Sequence, residues 1–240
     1  MHNYATASEI LSCSHVGGPS WIQRHNRPAL KCAEIARKAG LVTVVEKRVG
    51  FTDRSRVDVT LMDYVEHRDV ENHPVTQKTA HLDFAVTNPT GPSNRSRRLM
   101  RGASAKAYAK KKMHSPGANQ VMAPDVFIPC IMETFGLIHS NLQTVLSNIA
   151  ESHIYLSAKD AGYSVQQQAL LKGAIINNYY ELMSVALMKG VVHNIHNAVR
   201  VLLRKTDVRR GRGPPLTTAR GWGIIATAEK TASSNLVEFL

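Results

Sequence analysis

Four strand-like stretches lie between residues 41 and 132, whereas apolar residues from 140 to 205 keep helical spacing throughout, and that contrast limits the folds open to the chain. Leu41 to Val45 is a β-branched run, RVDVTLM (56–62) alternates polar and apolar residues, and AHLDFAV (80–86) alternates until Asn88-Pro89 stops it. VFIPCIM (126–132) is apolar throughout, as a buried strand would be, although Pro129 argues against a central place in a sheet. Two helices are predicted among these strands. One starts at Pro28, after the turn-forming Gly17-Gly18-Pro19, and sets Leu30, Ala33, Ile35 and Ala36 against Lys31, Glu34, Arg37 and Lys38 before Gly40 closes it. The other is ASAKAYAKKKMH (103–114), helical by propensity. The polar stretch 63–78 reads as a long hairpin excursion, and 140–205 as two or three helices broken near 159–164.

The expected class is therefore α/β (α+β), with the order αβββαβ and a C-terminal helical extension. Residues 1–27 form an N-terminal segment, 28–139 a core, 140–205 the helical extension, and 206–240 a basic tail expected to be disordered because Gly, Pro and Arg replace core formers there. The three cysteines, Cys13, Cys32 and Cys130, lie too far apart for a disulfide framework or a closed zinc site. No apolar run approaches the length of a membrane span, and MHNYATASEI has no signal-peptide pattern, so an intracellular protein without a membrane partner is expected. Lys and Arg number 30 against 18 Asp and Glu, a net charge of +12 that suits a polyanion. DNA, or alternatively RNA, is the partner class this favours, and nothing indicates a small-molecule substrate.

Carboxylates stand where strands rarely place them: Asp58 in RVDVTL, Asp83 in HLDFAV and Glu133 at the end of VFIPCIM. Burying unpaired carboxylates is costly, so several in one sheet suggest a shared hard cation, Mg²⁺ or Mn²⁺, which takes oxygen ligands and can activate water against a phosphodiester. Lys106, Lys110, Lys111 and Lys112 on the following helix are candidates to stabilise developing negative charge, and the sequence does not choose among them. Arg95, Arg97, Arg98 and Arg101 lie in a loop-like stretch suited to phosphate contacts. His25 could contact a phosphate or orient the helix entrance. Glu34 could approach the cation or serve as an exposed helical acid. Tyr179 and Tyr180 could stack on bases, though core packing suits them better.

At this point the chain resembles a family. The order αβββαβ, with acids in the second and third strands, a lysine-bearing helix and a late strand, resembles the PD-(D/E)xK restriction-endonuclease-like fold. The stretches SCSHVGGPSWIQRHN, RVDVTL, LDFAVTNP, KAYAKKKMH, FIPCIMETFG and YYELMSVALMKG, spanning roughly residues 11 to 205, resemble the endonuclease-like domain that follows the reverse transcriptase in non-LTR retrotransposon polyproteins. The resemblance implies a metal-dependent, nuclear DNA endonuclease in which Asp58, Asp83 and Glu133 are catalytic metal ligands. It also implies a catalytic lysine at Lys112, with Lys110 as substitute. Val57 stands where the family has proline, Ala85 where it has lysine two residues after Asp83, and Met113 where it has an aromatic residue. Only Cys13 matches the zinc knuckle that often lies upstream. Two other readings stay open: an inactive nucleic-acid-binding relic of the fold, and a protein-interaction module built on the C-terminal helices.

Overall fold

In the computed structural model, the described residues are 14–46, 57–68, 74–91, 100–158 and 161–209. The helices are α1 (Ser14–Lys38), α2 (Ala103–Met113), the single turn α3 (Pro116–Asn119), α4 (Ser140–Ala158) and α5 (Val165–Arg209). The strands are β1 (Thr43–Val45), β2 (Val59–Arg68), β3 (Pro74–Thr87) and β4 (Val126–Glu133). The strands form one mixed sheet in the order β1-β2-β3-β4: β2 is antiparallel to both β1 and β3, and β4 runs parallel to β3. The class is mixed α/β, as the patterning predicts.

Alternation along the strands sorts side chains to two faces. Val59, Leu61, Leu82, Phe84, Cys130 and Met132 join the main core with Cys32, Ala33, Ile35 and Ala36 of α1, Leu142, Leu146 and Ile149 of α4, and Met183 and Leu187 of α5. On the opposite face, Ala85 and Ile131 pack against Ala105 and Ala109 of α2. The sheet is thus layered between helices. Pro129 is accommodated because, among the described strands, β4 pairs with β3 alone, and its other side forms only the isolated bridge of Met132 with Ile138.

Three expectations need correction. α1 starts at Ser14 rather than Pro28, so Gly17-Gly18-Pro19 lies inside a helix. The reason is tertiary: Arg24 and Pro28 are buried, and α5 closes on α1 where Gly190 meets the Arg24 backbone. That packing outweighs the intrahelical hydrogen bond that Pro28 removes. Leu30, assigned to the apolar side, is exposed, and Cys32 takes the core position instead. Finally, the excursion shrinks, because β2 runs to Arg68 and β3 begins at Pro74. Register shifts after Leu61, with Asp63 at φ 56, turn both Leu61 and Tyr64 inward, and the Tyr64 hydroxyl accepts a hydrogen bond from Asn148 Nδ2 of α4 at 2.7 Å.

Gly40 closes α1 as predicted. At φ 81 it lets the Leu41 N–H reach the Ala36 carbonyl at 2.9 Å while its own N–H reaches Arg37. The helical stretch resolves into α4 and α5, and residues 206–209 of the expected tail continue α5, whereas 210–240 lie outside the described residues. Contacts divide the chain into a unit of residues 1–198, which holds the sheet, and a unit of residues 199–240, described only through the last turns of α5. Among the described residues, no helix is long and apolar enough to cross a membrane.

Candidate functional site

Two strand acids meet where β2 begins. Val59 is registered with Leu82, and the Asp58 N–H donates to the Leu82 carbonyl at 3.0 Å, so Asp58 and Asp83 sit side by side. Because Val59 and Leu82 face the main core, alternation sends Asp58 and Asp83 to the face that α2 partly covers. There Lys112 Nζ of α2 donates to Asp83 Oδ1 at 2.8 Å. The Phe84 N–H donates to Asp58 Oδ2 at 2.6 Å, the carboxylate standing in for a ladder partner at the point where β2 begins.

His25 closes the group from α1. Its Nε2–H donates to the Phe84 carbonyl at 2.9 Å and lies 3.2 Å from Asp58 Oδ2, while Nδ1 faces Asn26 Oδ1 at 2.8 Å. Both ring nitrogens therefore face acceptors, an arrangement that favours the imidazolium. Burial alone would lower the His25 pKa, but the hydrogen bond and charge of Asp58, with Asn26 and the Phe84 carbonyl, raise it to about 9. For Asp83, burial pushes the carboxyl upward, Lys112 pulls it back, the Asp58 charge adds to the rise and His25 opposes it; the net shift is upward. Asp58 and Asp83 thus feel one another across the strand boundary. Their charges are matched by two cations supplied by the chain itself.

The same face carries a second polar group missed by the sequence reading. Thr60 Oγ1 donates to His81 Nδ1 at 3.2 Å, and His81 Nε2–H donates to Asp125 Oδ2, just before β4, at 3.3 Å. Period two along β3 puts His81 on the face of Asp83, so this neighbour could have been found from HLD alone.

Glu133 is not part of the pair. It is registered with Thr87, four residues farther along β3 than Asp83, or about 13 Å at the rise of a strand. There its Oε1 accepts the Ala105 N–H at 3.2 Å, supplying an acceptor to the first turn of α2, whose N-cap Gly102 has no side chain to offer. Lys110 is exposed, as is Arg101, whereas Arg95, Arg97, Arg98 and Cys13 lie outside the described residues. Glu34 is held by Lys31 and, at 3.5 Å, by Lys38. Tyr179 is buried, its hydroxyl bonded to His153 Nδ1 at 2.9 Å. The buried alanines Ala105 and Ala109 mark the sheet-facing side of α2, and Lys112 follows them at i+7 and i+3, which puts it on their side of the helix and away from Lys106 and Lys110.

A hard cation suits the oxygens of this site. Among the described residues, Asp58 Oδ1 and Asp83 Oδ2 have no hydrogen-bond partner, so each carboxylate keeps one oxygen to offer, and two carboxylates suffice when phosphate oxygens and waters complete the shell. A closed protein cage is a different matter: among the described residues no three His, Cys, Asp or Glu side chains group as a metal site. No family model matches the chain, and no curated protein matches its sequence.

Proposed function

We propose that this chain is a restriction-endonuclease-like domain of retroelement origin that nicks DNA in the nucleus, using Asp58 and Asp83 to hold Mg²⁺ or Mn²⁺ beside a scissile phosphodiester. The observation that carries this reading is the juxtaposition of two strand acids with Lys112, the lysine 2.8 Å from Asp83, on a partly covered sheet face. The order of α1, three strands, α2 and β4 supports the same reading. A divalent cation bound by the two acids supplies a Lewis acid for the phosphodiester.

Asp58 and Asp83 do the holding. Lys112, on α2, stands where its ammonium can donate to a phosphate oxygen as negative charge grows there, the lysine role that Ala85 on β3 cannot fill. His25 keeps Asp58 oriented through the Phe84 carbonyl and presents a positive edge to an incoming phosphate. Arg101 and the neighbouring arginines contribute backbone contacts that carry no sequence information. Glu133 acts through α2, holding its first turn so that Lys112 is delivered to Asp83.

The test is nicking of supercoiled plasmid with Mg²⁺ or Mn²⁺, comparing the wild type with Asp83→Ala and with an EDTA control. Metal-dependent nicking that Asp83→Ala abolishes is the expected result. A specific observation favours a second reading: His25 and Lys112 already neutralise the two acids, as they would in a repurposed domain that binds nucleic acid without turnover. Salt-sensitive DNA binding with no nicking under either metal would establish that reading and overturn the first.

A further inference from the structure

Beyond the end of β4 the chain holds an aromatic residue where the fold has no need of one. Phe135 is 65% exposed, yet its turn is closed by hydrogen bonds. The Thr134 N–H and hydroxyl both donate to the Thr87 carbonyl, at 2.8 and 3.0 Å, the Gly136 N–H donates to the Glu133 carbonyl at 2.8 Å, and Gly136 takes φ 95 to complete the bend. Phe135 borders a cleft of about 400 Å³ that is also lined by Arg101, Gln143, Tyr180 and Ser184. Gln143 Nε2 donates to the Ile138 carbonyl at 3.1 Å, which steadies the amide and leaves its Oε1 as an acceptor. Two aromatic rings, one guanidinium, an oriented amide and a hydroxyl are what an unstacked nucleotide requires: faces for stacking, a cation for the phosphate, and donors and acceptors for a base edge. A turn whose backbone is held in advance has less freedom to lose when its ring stacks.

We infer that this cleft holds one unstacked nucleotide of a single strand, with the base against Phe135 and the phosphate on Arg101. The inference rests on the nucleic-acid reading above and assigns the single-stranded part of that substrate. The cleft lies at the N-terminal end of α2 and Lys112 in its last turn, about 16 Å apart along the helix, which is the rise of about five stacked nucleotides. A strand displaced near the acidic pair would therefore reach the cleft within a few nucleotides.

The test is fluorescence anisotropy of a labelled ten-nucleotide thymidine strand and of a duplex, in EDTA, with the wild type, Phe135→Ala, Phe135→Trp and Arg101→Ala. Phe135→Ala is expected to weaken single-strand binding about tenfold and to lower the single-strand to duplex affinity ratio. Phe135→Trp is expected to restore binding, and Arg101→Ala to reduce the salt slope by about 0.7. Equal single-strand affinities for the wild type and Phe135→Ala would overturn the assignment. So would displacement of the strand by millimolar thymidine monophosphate, which would give the cleft to a free nucleotide. Because binding is read without metal, the two readings fail separately. A wild type that never nicks plasmid but keeps the Phe135 effect retires the nuclease and leaves the cleft, while nicking without a Phe135 effect does the reverse.

Discussion

Asp58 binds two partners with one carboxylate oxygen, and its neighbour Asp83 depends on a single lysine; that difference decides how each responds to change. His25 is held near pKa 9 in the folded chain against 6.5 for the free ring, so folding favours its protonated form. Its stabilising contribution is complete below pH 6.5 and is lost as pH rises towards about 9. The thermal midpoint should fall across that window in the wild type, and His25→Gln should flatten the fall, as melts followed by circular dichroism will show. For the second acid, Lys112→Met leaves a buried carboxylate without its cation, a loss of about 1–3 kcal/mol at neutral pH. Removing the lysine raises the Asp83 pKa further, so at acid pH the carboxyl takes up a proton and the deficit shrinks; denaturant titrations at pH 5 and pH 8 test this. Asp58 and Asp83 are legible in the sequence because acids interrupt alternating strands. The role of His25 is not, because Pro28 reads as a helix start and leaves His25 in an apparent loop, whereas α1 carries it across to Asp58.

At the scale of elements, α1 and α5 meet at a glycine. A Cβ on Gly190 would come within 2.8 Å of the Arg24 Cα, a backbone atom that moves only if the helices part. Gly190→Ala should cost about 1–3 kcal/mol. Gly173, on the same helix with open space around it, is the control, and Gly173→Ala should gain about 0.5–1 kcal/mol from helix propensity. Urea unfolding of both variants separates a clash from a general effect of alanine. Glu133 makes a second contrast: Glu133→Ala removes the acceptor for the Ala105 N–H and should cost about 0.5–2 kcal/mol, whereas Glu133→Gln keeps a neutral acceptor there and should cost less. The four strands are legible from their own patterns: alternation marks β2 and β3, a β-branched run marks β1 and a continuous apolar run marks β4. The lengths of α1, β2 and β3 are not, because contacts between segments distant in sequence extended them: the α1–α5 crossing in one case, and the inward turn of Tyr64 towards α4 in the other.

For the whole molecule, a net charge of +12 makes a quantitative demand on any nucleic-acid reading. The logarithm of DNA affinity should fall linearly with the logarithm of salt, and a fall of about 10³-fold between 50 and 200 mM would correspond to roughly six phosphate contacts. Anisotropy with a duplex over that range is sufficient, and an affinity indifferent to salt would leave the C-terminal helices as a protein-interaction surface instead. Charge is legible in composition, but its arrangement is not, because Arg101 comes to line one cleft with Phe135 and Tyr180 only once β4 and α5 have packed.

β3 is paired along both edges and lies between helical layers, so the amides around Asp83 belong to the part of the sheet that is hardest to expose. Deuterium should therefore enter the Phe84 amide, which is bonded to Asp58 Oδ2, only as often as the whole sheet opens. The acidic pair then has no separate clock: its geometry lasts as long as the native state does. A cation offered to it would have to arrive across the uncovered part of the face, by diffusion rather than by the opening of the protein.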